Sequence, residues 1–320
     1  MTQTCPICQS NRTKFLSENY DIWYGYPDSF ELDRCGDCGH IFIVGDVTEE
    51  MLSDFYTNYY PRKLFNLDLY KPYVESTGFF AWLDGDRALC HRWVPKNVRV
   101  LDIGCGYCET LGYHKKRGCE VYGVEADENT AKIAERYGFN VHVGFFDANN
   151  YEKDFFDYVT MNWVLEHCLN PEETLRQVYS VLKPEGKLIF SIPNSFSISR
   201  YTFGQLWTRW HTPYHLHLFS QHSARLLIEK TGFRYDGSKS FTPSSALVGQ
   251  WAFLFVHGKK CQKSKWARPC PELYFEKNQE KIWFIRLYRF LEKIRIHAWL
   301  MRFGDAIGMG DDRLYFATKK

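Results

Sequence analysis

Short apolar runs alternate with amphipathic stretches through the middle of the chain. Val98, Val100, Leu101 and Ile103 make one run and Val121, Tyr122 and Val124 a second; Phe156–Asn162 and Gly186–Ile192 are two more. Each has the length of a buried strand, and the segments between carry helical spacing. Asp127–Tyr137 reads as a helix closed by Gly138, Pro171–Leu182 as one ended by LKPEG, and Ser220–Lys230 as one closed by Gly232. Strands alternating with helices predict an α/β fold with a doubly wound, Rossmann-like parallel sheet. Residues 48–93 read as polar-aromatic helices broken at Pro61, Pro72 and Gly78, and Arg313–Thr318 as a last short strand.

The first run ends at Asp102-x-Gly104-x-Gly106, and the second ends in Glu125. Glycines there let backbone approach a ligand, and a carboxylate about 20 residues on can accept two ribose hydroxyls, so an adenosine-containing cofactor is expected. The third glycine of a dinucleotide fingerprint is replaced by Glu109, an anion where a pyrophosphate would sit. S-adenosylmethionine (SAM), cationic and free of phosphate, suits the loop better, and Asp102 suits a cation directly or through the backbone.

The segments LDIGCG, VYGVEAD, FFDYVTMNWVLEH and VLKPEGKLIFSIPN, in that order over Val98–Asn194, resemble the successive motifs of class I SAM-dependent methyltransferases. The resemblance implies Asp102, Gly104, Gly106, Glu125, Ala126, Phe146, Asp147 and Asn162 as cofactor-binding residues. It also implies that the last strand inserts antiparallel into the sheet. The family usually has glycine at the position of Cys108 and often a small residue at Tyr107, so both side chains are expected to crowd the methionine end of the pocket.

Cys5-Pro-Ile-Cys8 and Cys35-Gly-Asp-Cys38 form two CxxC pairs 26 residues apart. Four soft ligands at the tips of two turns predict a tetrahedral, structural zinc site with no position left for water. This N-terminus resembles zinc-bearing sugar C-methyltransferases, in which such a module covers the substrate cleft; Phe55, Tyr56, Tyr59 and Tyr60 would continue that wall. The expected organisation is a zinc ribbon over 1–45, a helical cap over 46–95, a SAM-binding core over 96–240, a helical insertion over 241–303 and the final core strand within 304–320.

With 320 residues and 45% hydrophobic composition the chain can bury one sizeable core and an accessory module. Its net charge of +2 gives a nucleic-acid partner no support. MTQTCPICQS lacks the apolar stretch of a signal peptide, and no run nears the ~18 apolar residues of a spanning helix. Free cysteines in the expected core point to a reducing cytoplasm. Lys281–Phe303 has apolar residues at Phe284, Leu287, Leu291, Ile294, Ala298 and Met301, flanked by basic ones. That is an amphipathic helix able to pack on its own domain or to lie at the inner face of a membrane.

Methyl transfer to a hydroxyl requires a base. HTPYHLHLFS holds His211, His215 and His217 within ten residues, and His167 closes VLEH; near-neutral imidazoles suit the task. The resemblance matches His215 and His167 to two histidines of the sugar C-methyltransferases, while the family's Tyr and Glu are Thr212 and Tyr214 here. This favours O-methylation of a sugar or glycan intermediate, with His215 as base and His167 assisting. C-methylation of a sugar or natural-product scaffold, and a non-catalytic scaffold with a closed pocket, are the alternatives.

Overall fold

The computed structural model describes residues 3–60, 70–85, 89–243, 246–247, 249–251, 253 and 295–320. An antiparallel meander comes first: β1 (Thr13–Tyr20), β2 (Ser29–Cys35) and β3 (Ile41–Ile43). Two short helices follow, α1 (Glu49–Asp54) and α2 (Gly78–Leu83). The alternating region then runs β4 (Arg99–Ile103), α3 (Glu109–Lys116), β5 (Glu120–Glu125), α4 (Asn129–Tyr137), β6 (Asn140–Val143), β7 (Phe156–Asn162), α5 (Pro171–Val181) and β8 (Leu182–Pro193). The described chain is completed by α6 (Ile198–Phe203), β9 (His217–Leu218), α7 (Gln221–Lys230), β10 (Phe233–Phe241), α8 (Ile296–Ala306) and β11 (Asp312–Lys319).

The central sheet has seven strands in the order β10-β11-β8-β7-β4-β5-β6. Strands β4 to β8 pair in parallel, and β11 lies antiparallel between β8 and β10. The α/β class and the Rossmann-like sheet expected from the pattern are therefore observed. Successive residues of β4 serve opposite faces: Val100 packs with Leu111 and Ile133 from α3 and α4, and Leu101 with Leu175, Val178 and Leu227 from α5 and α7. Burial on both faces explains why these strands read as continuous apolar runs. Gly123 of β5 is required by this packing, since a Cβ there would meet Cys105 Sγ at 2.7 Å and Leu111 Cδ1 at 2.8 Å.

Two differences from the expected elements have physical causes. LKPEG does not form a loop; it belongs to β8, where Glu185 takes φ +61° and the register against β7 shifts between Phe156 and Tyr158. A bulge absorbs the proline and glycine there. Strands β6 and β10 carry too little apolar alternation to stand out in the sequence, because each lies at an edge of the sheet.

The N-terminal meander is not a free-standing module. Strand β9, from the far side of the core sequence, adds to it through the pairs Ile41↔Leu218 and Phe42↔His217, giving a sheet β1-β2-β3-β9. Cys5, Ile7, Cys35, Cys38 and Phe42 share one apolar cluster with Leu227 of α7. Most of 241–303, including 281–294 of the expected basic helix, lies outside the described residues. In α8, Ala298 is buried, while Trp299, Leu300 and Phe303 are exposed, Trp299 beside Phe79 and Trp82 of α2. Among the described residues no helix is long and apolar enough to cross a membrane.

Candidate functional site

The carboxyl ends of β4, β5 and β7 meet at a cleft, the place where open α/β sheets bind ligands. After β4 the chain turns over Gly104, φ +73°, where a Cβ would collide with Val164 Cγ2 at 2.5 Å. The N–H groups of Gly104 and Cys105 both donate to the Val124 carbonyl, at 2.8 and 3.0 Å, pinning the loop to β5. Above Gly106, φ +53°, the space is open. Glu125 stands at the lip: Oε2 accepts the Gly106 N–H at 2.9 Å and Oε1 the Asp127 N–H at 3.1 Å. This holds a partly exposed carboxylate at the end of β5, set to accept further donors.

The other expected cofactor residues divide. Asp102 is buried under the loop and accepts from Thr110 Oγ1 and from Thr160 Oγ1, the latter at 2.7 Å; burial pushes its carboxyl up to about 6. Both oxygens face hydroxyls of the fold, so Asp102 shapes the loop from beneath. Asn162 is likewise engaged, its Oδ1 accepting from the Cys90 N–H at 3.2 Å and Ser191 Oγ at 3.4 Å. Ala126 and Asp147 are exposed, and Phe146 is half-buried against Tyr151.

Cys108 does not crowd the pocket. It occupies the left-handed conformation, φ +63°, that glycine takes freely, and its side chain turns inward, fully buried with Cys105 and Leu111. The side-chain burial offsets a backbone cost of about 1–2 kcal/mol. Tyr107 is half-buried against the same cluster.

A second group gathers beside the cleft, on the loops after β7 and before β9. The rings of His167 and His215 lie 4.7 Å apart, and those of His211 and His215 4.8 Å apart. His215 Nδ1 donates to the Arg209 carbonyl at 2.8 Å, and His167 Nδ1 donates to the Tyr214 carbonyl at 2.8 Å. A carbonyl can only accept, so both rings carry the proton on Nδ1 and leave Nε2 as the proton-accepting nitrogen; that of His215 lies 3.4 Å from His211 Nδ1. Burial lowers the pKa of all three: His167 to about 4, His211 to about 3, and His215 well below the ordinary imidazole value.

Glu166 joins them, with Oε1 4.0 Å from His215 Nε2. It is fully buried, neither of its oxygens has a hydrogen-bond partner among the described residues, and burial pushes its pKa well above the usual carboxylate range. Tyr56 Oη lies 2.9 Å from His167 Nδ1, and Tyr24, Tyr60 and Tyr214 close an aromatic wall around His211 with centroid separations of 5.0–6.3 Å. Tyr56 and Tyr60 come from the expected wall; Glu166 and Tyr24 were not singled out by sequence. The only sequence signal for Glu166 is its place inside VLEH.

His217 lies apart from this group. Its Nδ1 meets His40 Nε2 at 3.1 Å and its ring packs on Phe219, at the seam between the meander and the core. The strand pairing of β9 with β3 fixes it there, away from the other three histidines of the expected set.

The four expected thiols converge. Cys5 and Cys38 Sγ are 3.6 Å apart, Cys8 and Cys35 Sγ 3.5 Å, and all four lie within 4.8 Å of one another. A tetrahedron with Zn–S bonds of about 2.3 Å has edges of about 3.8 Å, so the set fits zinc. Each pair sits in a knuckle closed by backbone bonds, Gln9 N–H to the Cys5 carbonyl at 3.0 Å and Gly39 N–H to the Cys35 carbonyl at 3.1 Å.

Residues 81–236 match a family model described as a methyltransferase domain. A ubiquinone biosynthesis O-methyltransferase of Coxiella burnetii is 32% identical over 117 residues, which is 33% of this chain and 49% of that protein. One from Azoarcus sp. is 31% identical over 120 residues, covering 35% and 49%. The chain thus spans about half the length of these curated relatives. Among solved structures, a SAM dependent methyltransferase from Archaeoglobus fulgidus aligns with a TM-score of 0.42 and 23% identity, over 69% of this chain and 86% of that one. Together with the seven-stranded sheet, the family match identifies residues 81–236 as a methyltransferase domain with the Rossmann-like fold of its class.

Proposed function

We propose that this chain is a SAM-dependent methyltransferase acting on a hydroxyl of a sugar or glycan intermediate, with His215 as the base and His167 positioning the acceptor. The observation that carries the reading is the placement of Glu125 over an open glycine turn, with the neutral His167–His215 pair on the neighbouring loop. The sugar part rests on the resemblance of the N-terminal region and on the ring faces of Tyr24, Tyr56 and Tyr60, which suit a saturated ring. When bound, SAM supplies an electrophilic methyl group for in-line displacement. Glu125 holds the ribose end, and the Gly104–Gly106 backbone leaves room for the rest. The tyrosine wall excludes water, which favours alignment in a dry site. His215 Nε2 takes the hydroxyl proton as the bond forms.

Calorimetric titration with SAM and S-adenosylhomocysteine tests the cofactor assignment. Wild-type protein is expected to bind both, and Glu125→Ala to bind about tenfold more weakly or worse, since hydrogen bonds to a charged group contribute about 1.5–3 kcal/mol. Folded protein that binds neither ligand would sink the assignment and leave the scaffold alternative.

The N-terminal thiols are assigned a structural zinc ion held by Cys5, Cys8, Cys35 and Cys38. Three of the four are buried, and they share the apolar cluster that joins the meander to the core. Cys35→Ser is expected to lose zinc and to loosen the meander and β9, while the cofactor loop keeps its fold. Metal analysis and amide exchange read the two effects, and a stoichiometric zinc content in the variant would contradict the assignment.

C-methylation is the second reading, favoured by one observation. The Tyr and Glu missing from 212–214 have counterparts from elsewhere: Tyr56 on His167 and Glu166 beside His215.

A further inference from the structure

A pocket of about 240 Å³ lies where the thiol meander meets the core. Arg34 of β2, Ser195 and Arg200 from the segment after β8, Gln221 and His222 of the first turn of α7, and Arg313 of β11 line it. Arg200 is only 9% exposed. One guanidinium N–H donates to the Ser195 carbonyl at 2.6 Å, the group stacks over Trp210 and Tyr201 at 5.4 and 5.2 Å, and its Nε has no hydrogen-bond partner among the described residues. Arg313 is also buried, bonded to the Gly308 carbonyl at 2.6 Å and Ser238 Oγ at 3.2 Å, with its own Nε unpartnered among the described residues.

The neighbouring carboxylates are engaged elsewhere. Asp312 pairs with Arg209 at 2.7 Å, and Asp311 accepts from Ser197 Oγ at 2.7 Å. Among the described residues no ion pair includes Arg34, Arg200 or Arg313. Arg34 instead acts on Arg200 as a like charge, and together with burial it lowers the Arg200 pKa. Buried cations without a counter-charge are costly, and two of them, Arg200 and Arg313, converging with the exposed Arg34 on one cavity point to an anion from outside the chain. The first turn of α7, a ten-residue helix, adds the positive end of its dipole. The planar forks of arginine suit a tetrahedral oxyanion with several acceptor oxygens.

We propose that this pocket is a phosphate-binding site, in which Arg34, Arg200 and Arg313 hold a phosphoryl group against the N-terminus of α7. SAM has no phosphate, so the site serves a ligand other than the cofactor, and it stands whether or not the methyl-transfer assignment holds. The source of the group is either free phosphate or the headgroup of a phospholipid.

The test is titration of the full chain, at low salt, with inorganic phosphate and with pyrophosphate, alongside flotation with vesicles containing phosphatidic acid. Wild-type protein is expected to bind at least one of these, with affinity falling as salt rises. Arg200→Gln is expected to weaken that binding about tenfold or more, the effect of losing a charged hydrogen-bond donor. Arg34→Gln, at an exposed position, is expected to do the same while SAM binding is unchanged. Binding of the soluble anions assigns free phosphate, and binding confined to vesicles assigns the lipid headgroup. No binding in any arm, or wild-type binding by Arg34→Gln and Arg200→Gln, overturns the proposal.

Discussion

Removing residues 313–320 is expected to abolish folding of the whole domain. Strand β11 is the last segment of the chain, yet it fills an interior position of the sheet, paired on one side to β8 through seven residues and on the other to β10. Leu314, Tyr315 and Ala317 are each at most 1% exposed. Burial of each large side chain contributes about 1.5–3 kcal/mol, and each ladder hydrogen bond a net of about 0.5–1.5 kcal/mol. Their sum is comparable to the whole stability of an ordinary domain, about 5–15 kcal/mol. The truncated protein should be insoluble or lack a cooperative thermal transition by calorimetry. A soluble truncation that still binds SAM would show that β8 tolerates an open edge.

Replacing His215 with Ala is expected to cut kcat by about 10²–10⁴-fold, the usual contribution of a positioned general base. SAM affinity should change little, because the ring lies with His167, His211 and Glu166 and not on the glycine turn. The pH dependence separates this from a loss of shape. Burial holds the folded pKa of His215 well below 6.5, so the neutral, proton-accepting form is retained as pH falls through 6.5 and is lost only under more acidic conditions. The wild-type rate is therefore expected to stay level from pH 8 to pH 6. An acid limb centred near 6.5 would place the base on an exposed histidine, and wild-type turnover by the Ala variant would remove His215 from the reaction.

The sequence by itself determined the glycine turn at the end of β4 with its facing carboxylate, and the cluster of four thiols. β4, its glycine turn and Glu125 are contiguous, so backbone conformation and the period of buried positions encode them locally. The two CxxC pairs are encoded by spacing, because two ligands on one knuckle need only a tight turn between them.

Only the tertiary structure decided which polar side chains face one another. Tyr56 reaches His167 across 111 residues, and Glu166 meets His215 through packing that leaves no periodic trace. The same long-range packing sent Cys108 beneath its loop and engaged both Asp102 oxygens with hydroxyls of the fold. It also drew His217 to His40 by pairing β9 with β3. Local geometry and periodicity fix elements, whereas the direction of a buried polar group depends on which distant partner satisfies it, and a linear pattern does not record that choice.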